Sequence, residues 1–150
     1  MPALPHCWVS LKSWDCLFPR AQIIMMSKMH RIKVVAVTAF MADQSEPARK
    51  RYVFAYTITI ENTGDVTAQL LSRHWVITDA LGQVQEVRGE GVIGQQPILV
   101  PGESFQYTSG AILETPMGRM EGSYQMLGED GVSFNAEILP FRLTVPHSLH

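Results

Sequence analysis

Hydrophobic and polar positions alternate with a period of two along most of this chain. From Tyr52 to Ile60 the even positions are Tyr, Phe, Tyr, Ile and Ile, and the odd ones Val, Ala, Thr and Thr. Successive side chains of a strand point to opposite faces, so the segment has one large apolar face and one small or hydroxylated face; a helix would mix the two sets. Asn62-Thr63-Gly64-Asp65 then supplies turn residues. The same pattern predicts strands over Arg31–Phe40, Leu70–Thr78, Gln83–Val87, around Phe105–Thr108, over Met120–Met126 and over Val132–Ile138. Pro140 interrupts, and Phe141, Leu143 and Val145 predict a last strand. Val100-Pro101-Gly102-Glu103 reads as a type II turn, with Pro101 fixing the first corner and Gly102 supplying the positive φ of the second.

About eight strands at this spacing, with no sustained helical stripe, predict an all-β fold. Half-polar strands form antiparallel sheets with one wet face, and two such sheets bury their apolar parities as a β-sandwich. A closed barrel has the same period and is the alternative. Trp75 in a mid-chain strand fits the buried tryptophan of immunoglobulin-like domains, and Tyr107 is placed to act as a corner tyrosine. The cysteine pair of antibody domains is absent, so an immunoglobulin/fibronectin type III-like antiparallel β-sandwich is the expectation.

Composition divides the chain in two. Residues 1–28 hold both cysteines, Cys7 and Cys16, two of the three tryptophans and no glycine. They carry Lys12, Arg20 and Lys28 against Asp15, a net +2, which leaves −4 for residues 29–150 of the overall −2. This segment alternates with neither period, and Lys12, Asp15, Pro19 and Arg20 break any apolar stretch that would serve as a secretory signal. It is expected to be a poorly ordered extension, or a translated upstream segment with the natural start at Met25, Met26 or Met29. The domain expected over 29–150 is cysteine-free, which is compatible with the cytoplasm. The charged fraction of 17% is low against about 25% in typical chains, and the acidic balance argues against nucleic acid held by phosphate neutralisation. The longest apolar run, Val34 to Ala42, falls short of the ~20 residues of a membrane helix.

Few residues point to chemistry. Gly89-Glu90-Gly91-Val92-Ile93-Gly94 matches the dinucleotide pattern G-x-G-x-x-G, but that motif works through a following helix whose N-terminus binds pyrophosphate. Here Gln95-Gln96-Pro97 follows, so the run reads as a glycine loop between strands. An anion nest of backbone N–H groups around Gly89, Gly91 and Gly94 is the functional alternative. Arg73-His74-Trp75 joins a cation, an imidazole and a large aromatic, but alternation sets His74 opposite the other two. Trp75 is expected in the core, Arg73 paired with a carboxylate and His74 on the surface. His147 and His150 make at best a weak metal pair, and Glu90, Glu103, Glu114 and Glu121 lack the spacing of a calcium loop. No G-x-S-x-G elbow or nucleophile–base pair is present, so no enzyme, cofactor or metal is predicted.

Taken together, several segments are similar to the ApaG (CorD) family. They are Arg51 to Ile60, Leu70 to Asp79, the run Gly89 to Gly94 with Gln95-Gln96-Pro97, and Pro101-Gly102-Glu103. Tyr107-Thr108-Ser109-Gly110, Thr115-Pro116-Met117-Gly118, Met120-Glu121-Gly122-Ser123-Tyr124 and Phe141 to Pro146 complete the set. The resemblance spans about 31–150. It implies a small cytoplasmic bacterial protein with no established enzymatic activity, of a family associated with cobalt tolerance and magnesium efflux, and built as a protein-interaction module. The expectation is an unidentified protein partner, with neither nucleic acid nor membrane, and a homodimer is compatible with it. Arg73, His74 and Glu90 are the candidate contact residues. The alternative is a small-anion domain binding phosphate or pyrophosphate, with or without metal, through 89–94.

Overall fold

The computed structural model describes residues 28–146; the expectations for 1–27 and for His147 and His150 lie outside the described residues. Eight strands follow one another: β1 (Ile32–Phe40), β2 (Tyr52–Asn62), β3 (Ala68–Asp79), β4 (Val84–Glu90), β5 (Ile98–Leu99), β6 (Ser104–Leu113), β7 (Met117–Gly128) and β8 (Ser133–Thr144). One sheet has the order β1-β2-β6 and the other β4-β3-β7-β8, with β5 continuing the β4 edge beside the start of β3. All pairings are antiparallel. First–second–sixth facing fourth–third–seventh–eighth is the order of a fibronectin type III-like β-sandwich; the two sheets remain separate, so the barrel alternative falls. Among the described residues no helix is long and apolar enough to cross a membrane.

The even-numbered face of β2 forms the floor of the core: Phe54, Ile58 and Ile60 are fully buried and Tyr56 nearly so. The opposing sheet contributes Leu70, Met120, Tyr124, Met126 and Leu143. Trp75, 2% exposed, stands edge-on between them, with ring centroids 5.4 Å from Tyr56, 6.2 Å from Tyr124 and 5.9 Å from Phe141. Such edge-to-face pairs add about 0.5–1.5 kcal/mol each to the area they bury. The Tyr107 hydroxyl meets that of Tyr124 across the sheets at 2.5 Å. A corner tyrosine bonds the backbone upstream of it, so Tyr107 is an inter-sheet tie instead.

Two bulges reset the alternation. On β3 the register shifts between Leu70 and Ser72. The inward parity therefore passes from Ala68 and Leu70 to Arg73, Trp75 and Ile77. On β8 the step from Ile138 to Phe141 faces the shorter step from Gly122 to Met120, and the inward parity passes from Ala136 and Ile138 to Phe141 and Leu143. Pro140 thus lies in a bulge of an edge strand, where a missing N–H is tolerated. It does not separate two strands, and the short β5 makes up the number.

The ends of the sandwich are tied by backbone and amide contacts. Buried Asn62 donates its side-chain amide to the Val66 and Leu99 carbonyls and accepts from the Gly64 N–H. The Gly102 N–H donates to the Asn62 carbonyl, and Gly102 has φ +89°, as the type II turn requires. Ahead of β1, the Met29 and Arg31 carbonyls accept from Asp65 and Thr63. His30 lies 2.8 Å from the Asp130 carboxylate, with its ring against Phe134.

Candidate functional site

The candidate residues gather where β4 leaves β3. Register places Arg73 opposite Gly89, His74 opposite Arg88 and Ser72 opposite Glu90. Sheet alternation then divides them. Arg73 faces inward with Trp75, while Ser72, His74, Arg88 and Glu90 face the outside of the four-strand path, as the sequence pattern requires.

Arg73 does not pair with a carboxylate. Its Nη1 donates to the carbonyls of Glu90 at 3.1 Å and Gly91 at 2.8 Å, and among the described residues it makes no ion pair. Its guanidinium lies on Gly89, where an added Cβ would come within 2.8 Å of both terminal nitrogens. Sharing the inner side with Trp75 explains the correction: Arg73 is turned away from the surface glutamates, and the carbonyls of the loop are its acceptors.

Each glycine of the loop has a structural duty. Gly89 gives Arg73 its seat. Gly91 has φ +62°, and a Cβ there would stand 2.3 Å from the Gln95 carbonyl. Ile93 (φ 42°) and Gly94 (φ +78°) form the positive-φ tip of a hairpin closed by the mutual Val92 and Gln95 hydrogen bonds. Paired positive-φ central residues make a type I′ turn, whose twist matches the strands it joins. Val92 is wholly buried and anchors the loop to the core. The N–H groups of Gly91, Val92 and Gln95 donate to the carbonyls of Leu71, Gln95 and Val92. An anion nest here is left with the amides of Ile93 and Gly94, and strand β5, not a helix, follows.

The outer groove, about 590 Å³, is lined by Ser72, His74, Arg88, Glu90, Gln125 and Asn135 among others. Ser72 donates to the Gln125 amide oxygen, and Gln125 in turn donates to Ser123. His74 Nε2 is buried without a hydrogen-bond partner, 3.5 Å from Glu86 Oε1. Ser123, its cross-strand neighbour, is engaged with Gln125 and not with the imidazole. Among the described residues no three His, Cys, Asp or Glu side chains are grouped to hold a metal ion.

The inner side carries a tyrosine cluster. Burial pushes the Tyr107 hydroxyl up to about 12, and raises Tyr124 further, with Tyr107 adding to the effect. Both therefore stay protonated at neutral pH, and serve as hydrogen-bonding core groups.

Sequence reasoning did not find one surface. The outer face of β1-β2-β6 runs from Val35 and Val37 on β1, through Thr59, Thr57 and Ala55 on β2, to Gln106, Thr108, Gly110 and Ile112 on β6. Val37 is 64% exposed and Ile112 51%. Lys33 and Glu61 stand at one end; no charge interrupts the rest. The odd parity of β1 and the even parity of β6 signal this face, once it is known that these strands flank β2.

The ApaG domain family model matches residues 42–128. The chain belongs to the ApaG family. It is 60% identical over 124 residues to the ApaG protein of Aromatoleum aromaticum, covering 83% of this chain and 98% of that one. It is 56% identical over 126 residues to the ApaG protein of Pseudomonas syringae, covering 84% of this chain and all of the other. A crystal structure of an ApaA protein from Bordetella pertussis superposes with a TM-score of 0.78 at 50% identity, over 81% of this chain and 98% of that one. These likenesses agree with the sandwich.

Proposed function

We propose that this ApaG protein is a non-enzymatic interaction domain of the cytoplasm, and that it influences cobalt tolerance and magnesium efflux through a protein partner received on the outer face of β1-β2-β6. The observation that supports this reading is the chemistry of that face. Its apolar side chains are exposed and its polar ones bond to one another in pairs. The Thr57 and Thr108 hydroxyls meet at 2.8 Å, and the Gln106 amide donates to the Thr59 hydroxyl at 2.9 Å. Covering a polar group costs free energy when its hydrogen bonds to water are not replaced. Here two of those bonds exist beforehand, so a partner gains apolar burial at a reduced desolvation cost. Exposed apolar patches of this kind mark interaction sites on soluble domains.

The test is Val37→Asp, at an exposed position that the fold tolerates. The folded variant is expected to lose the partner captured by the wild-type chain and to fail to restore cobalt tolerance to cells lacking the gene. Equal capture and equal rescue would overturn the proposal.

A further inference from the structure

The two long seams of the sandwich differ. Along one, β1 lies beside β8, with the Thr38 hydroxyl donating to the Arg142 carbonyl. Along the other, the free edges of β4 and β6 flank a cleft of about 320 Å³. Its walls include Tyr56, Trp75, Gln85 and Val87 and residues 109–112 of β6, and Arg73 lines it from β3.

Arg73 is the informative group. It is half-buried, a position in which a cation is normally matched by a carboxylate. Its Nη1 is occupied by two carbonyls, but Nε and Nη2 have no acceptor among the described residues. Neither is sealed away: among the described residues the buried side-chain nitrogen without a partner is His74 Nε2. The guanidinium is held in place by the loop carbonyls and by its seat on Gly89, so its remaining N–H groups are preorganised and lose little freedom on binding. Beside it, two edge strands offer unpaired backbone N–H and C=O groups, the template for an added strand.

We propose that this seam is a receptor for an extended peptide that pairs with the edge of β6 and places a carboxylate side chain on Arg73. The carboxylate supplies the absent counter-charge, in the planar forked geometry that guanidinium favours. Trp75, Tyr56 and Val87 take the flanking aliphatic part. The site is separate from the outer face of β1-β2-β6 and does not rest on it.

The test uses the full chain and two blocked seven-residue peptides of alternating valine and threonine. One has glutamate at its centre and the other glutamine. Amide and arginine Nε–H resonances are followed by NMR during titration. The glutamate peptide is expected to bind at least tenfold more tightly than the glutamine peptide. Shifts should be confined to Arg73, Gln85, Val87 and 109–112. In Arg73→Gln the tenfold preference should vanish. Because the peptide pair is compared on the wild-type protein, the outcome does not depend on how well that variant folds. Equal affinity for the two peptides, shifts centred elsewhere, or no shift at millimolar peptide would each overturn the proposal.

Discussion

Replacing Gly91 by alanine separates the structural duty of the glycine loop from a ligand-binding one. The residue has φ +62°, and its added Cβ would stand 2.3 Å from the Gln95 carbonyl oxygen. The left-handed conformation costs an L residue roughly 1–2 kcal/mol, offset by about 0.4–1 kcal/mol from the stiffer unfolded chain. Relieving the contact requires backbone movement of about 1 Å, which strains the Val92 N–H bond to the same carbonyl, 2.8 Å long; a lost hydrogen bond is worth about 1 kcal/mol, and more when a buried donor is left unpaired. The net expectation is about 2–3 kcal/mol. Gly94→Ala is the internal control: φ is +78° but nothing lies within 4 Å, so only the conformational part applies, about 0.5–1 kcal/mol net. Urea unfolding followed by circular dichroism measures both through the midpoint at unchanged slope. Equal losses for the two variants, or a neutral Gly91→Ala, would refute the reasoning. The same numbers bear on ligand tests, since loss of anion binding in Gly91→Ala could come from the loop's own collapse.

Four further outcomes follow from the structure. Tyr124→Phe leaves the buried Tyr107 hydroxyl without its partner and should cost about 1–3 kcal/mol, part of which Tyr107→Phe restores in the double variant; a purely additive double variant in urea unfolding would show that the pair is not coupled. Gly122→Ala should prevent folding, because its Cβ would lie 2.0 Å from the His74 carbonyl of the adjacent strand; a native-like dispersed NMR spectrum would contradict this. Desolvation works to raise the Asp130 carboxyl, but the Val132 N–H and His30 outweigh it and hold the group below its ordinary 3.8. Its stabilisation is therefore present above that value and fades as pH falls through the lower folded value, so the stability gap between wild type and Asp130→Asn should close below pH 3.8; a gap that persists through acid would refute the linkage. Pyrophosphate, with or without magnesium, should leave the Gly91 and Val92 amides unshifted in NMR spectra, because the first is bonded to the Leu71 carbonyl of β3 and the second to the Gln95 carbonyl across the hairpin.

The sandwich was legible because β2 states its two faces without ambiguity and its neighbours repeat the rule. Trp75 in the core, His74 opposite it and the type II turn at Pro101-Gly102 all follow from local chemistry. The bulges were not legible. A single extra residue near Leu71 lets both Leu70 and Trp75 face inward from opposite parities, and another near Pro140 joins what period-two reading splits. Both depend on register against a partner strand, which no local pattern contains. For the same reason the acceptors of Arg73, the Tyr107–Tyr124 tie and the seam between β4 and β6 required the assembled sheets. The glycine loop shows the converse: residue types shared with a nucleotide motif serve here as a seat, a close approach and a hairpin tip. Its missing helix was readable in advance from Pro97.

The proposed role depends on a partner received on the outer face of β1-β2-β6. A photo-crosslinking residue at position 37 of the full chain, in living cells, tests it most directly, with position 137 on the outer face of the other sheet as the comparison. A discrete adduct with one protein is expected from position 37 and none from position 137. An adduct from position 137 alone, or none from position 37, would contradict it.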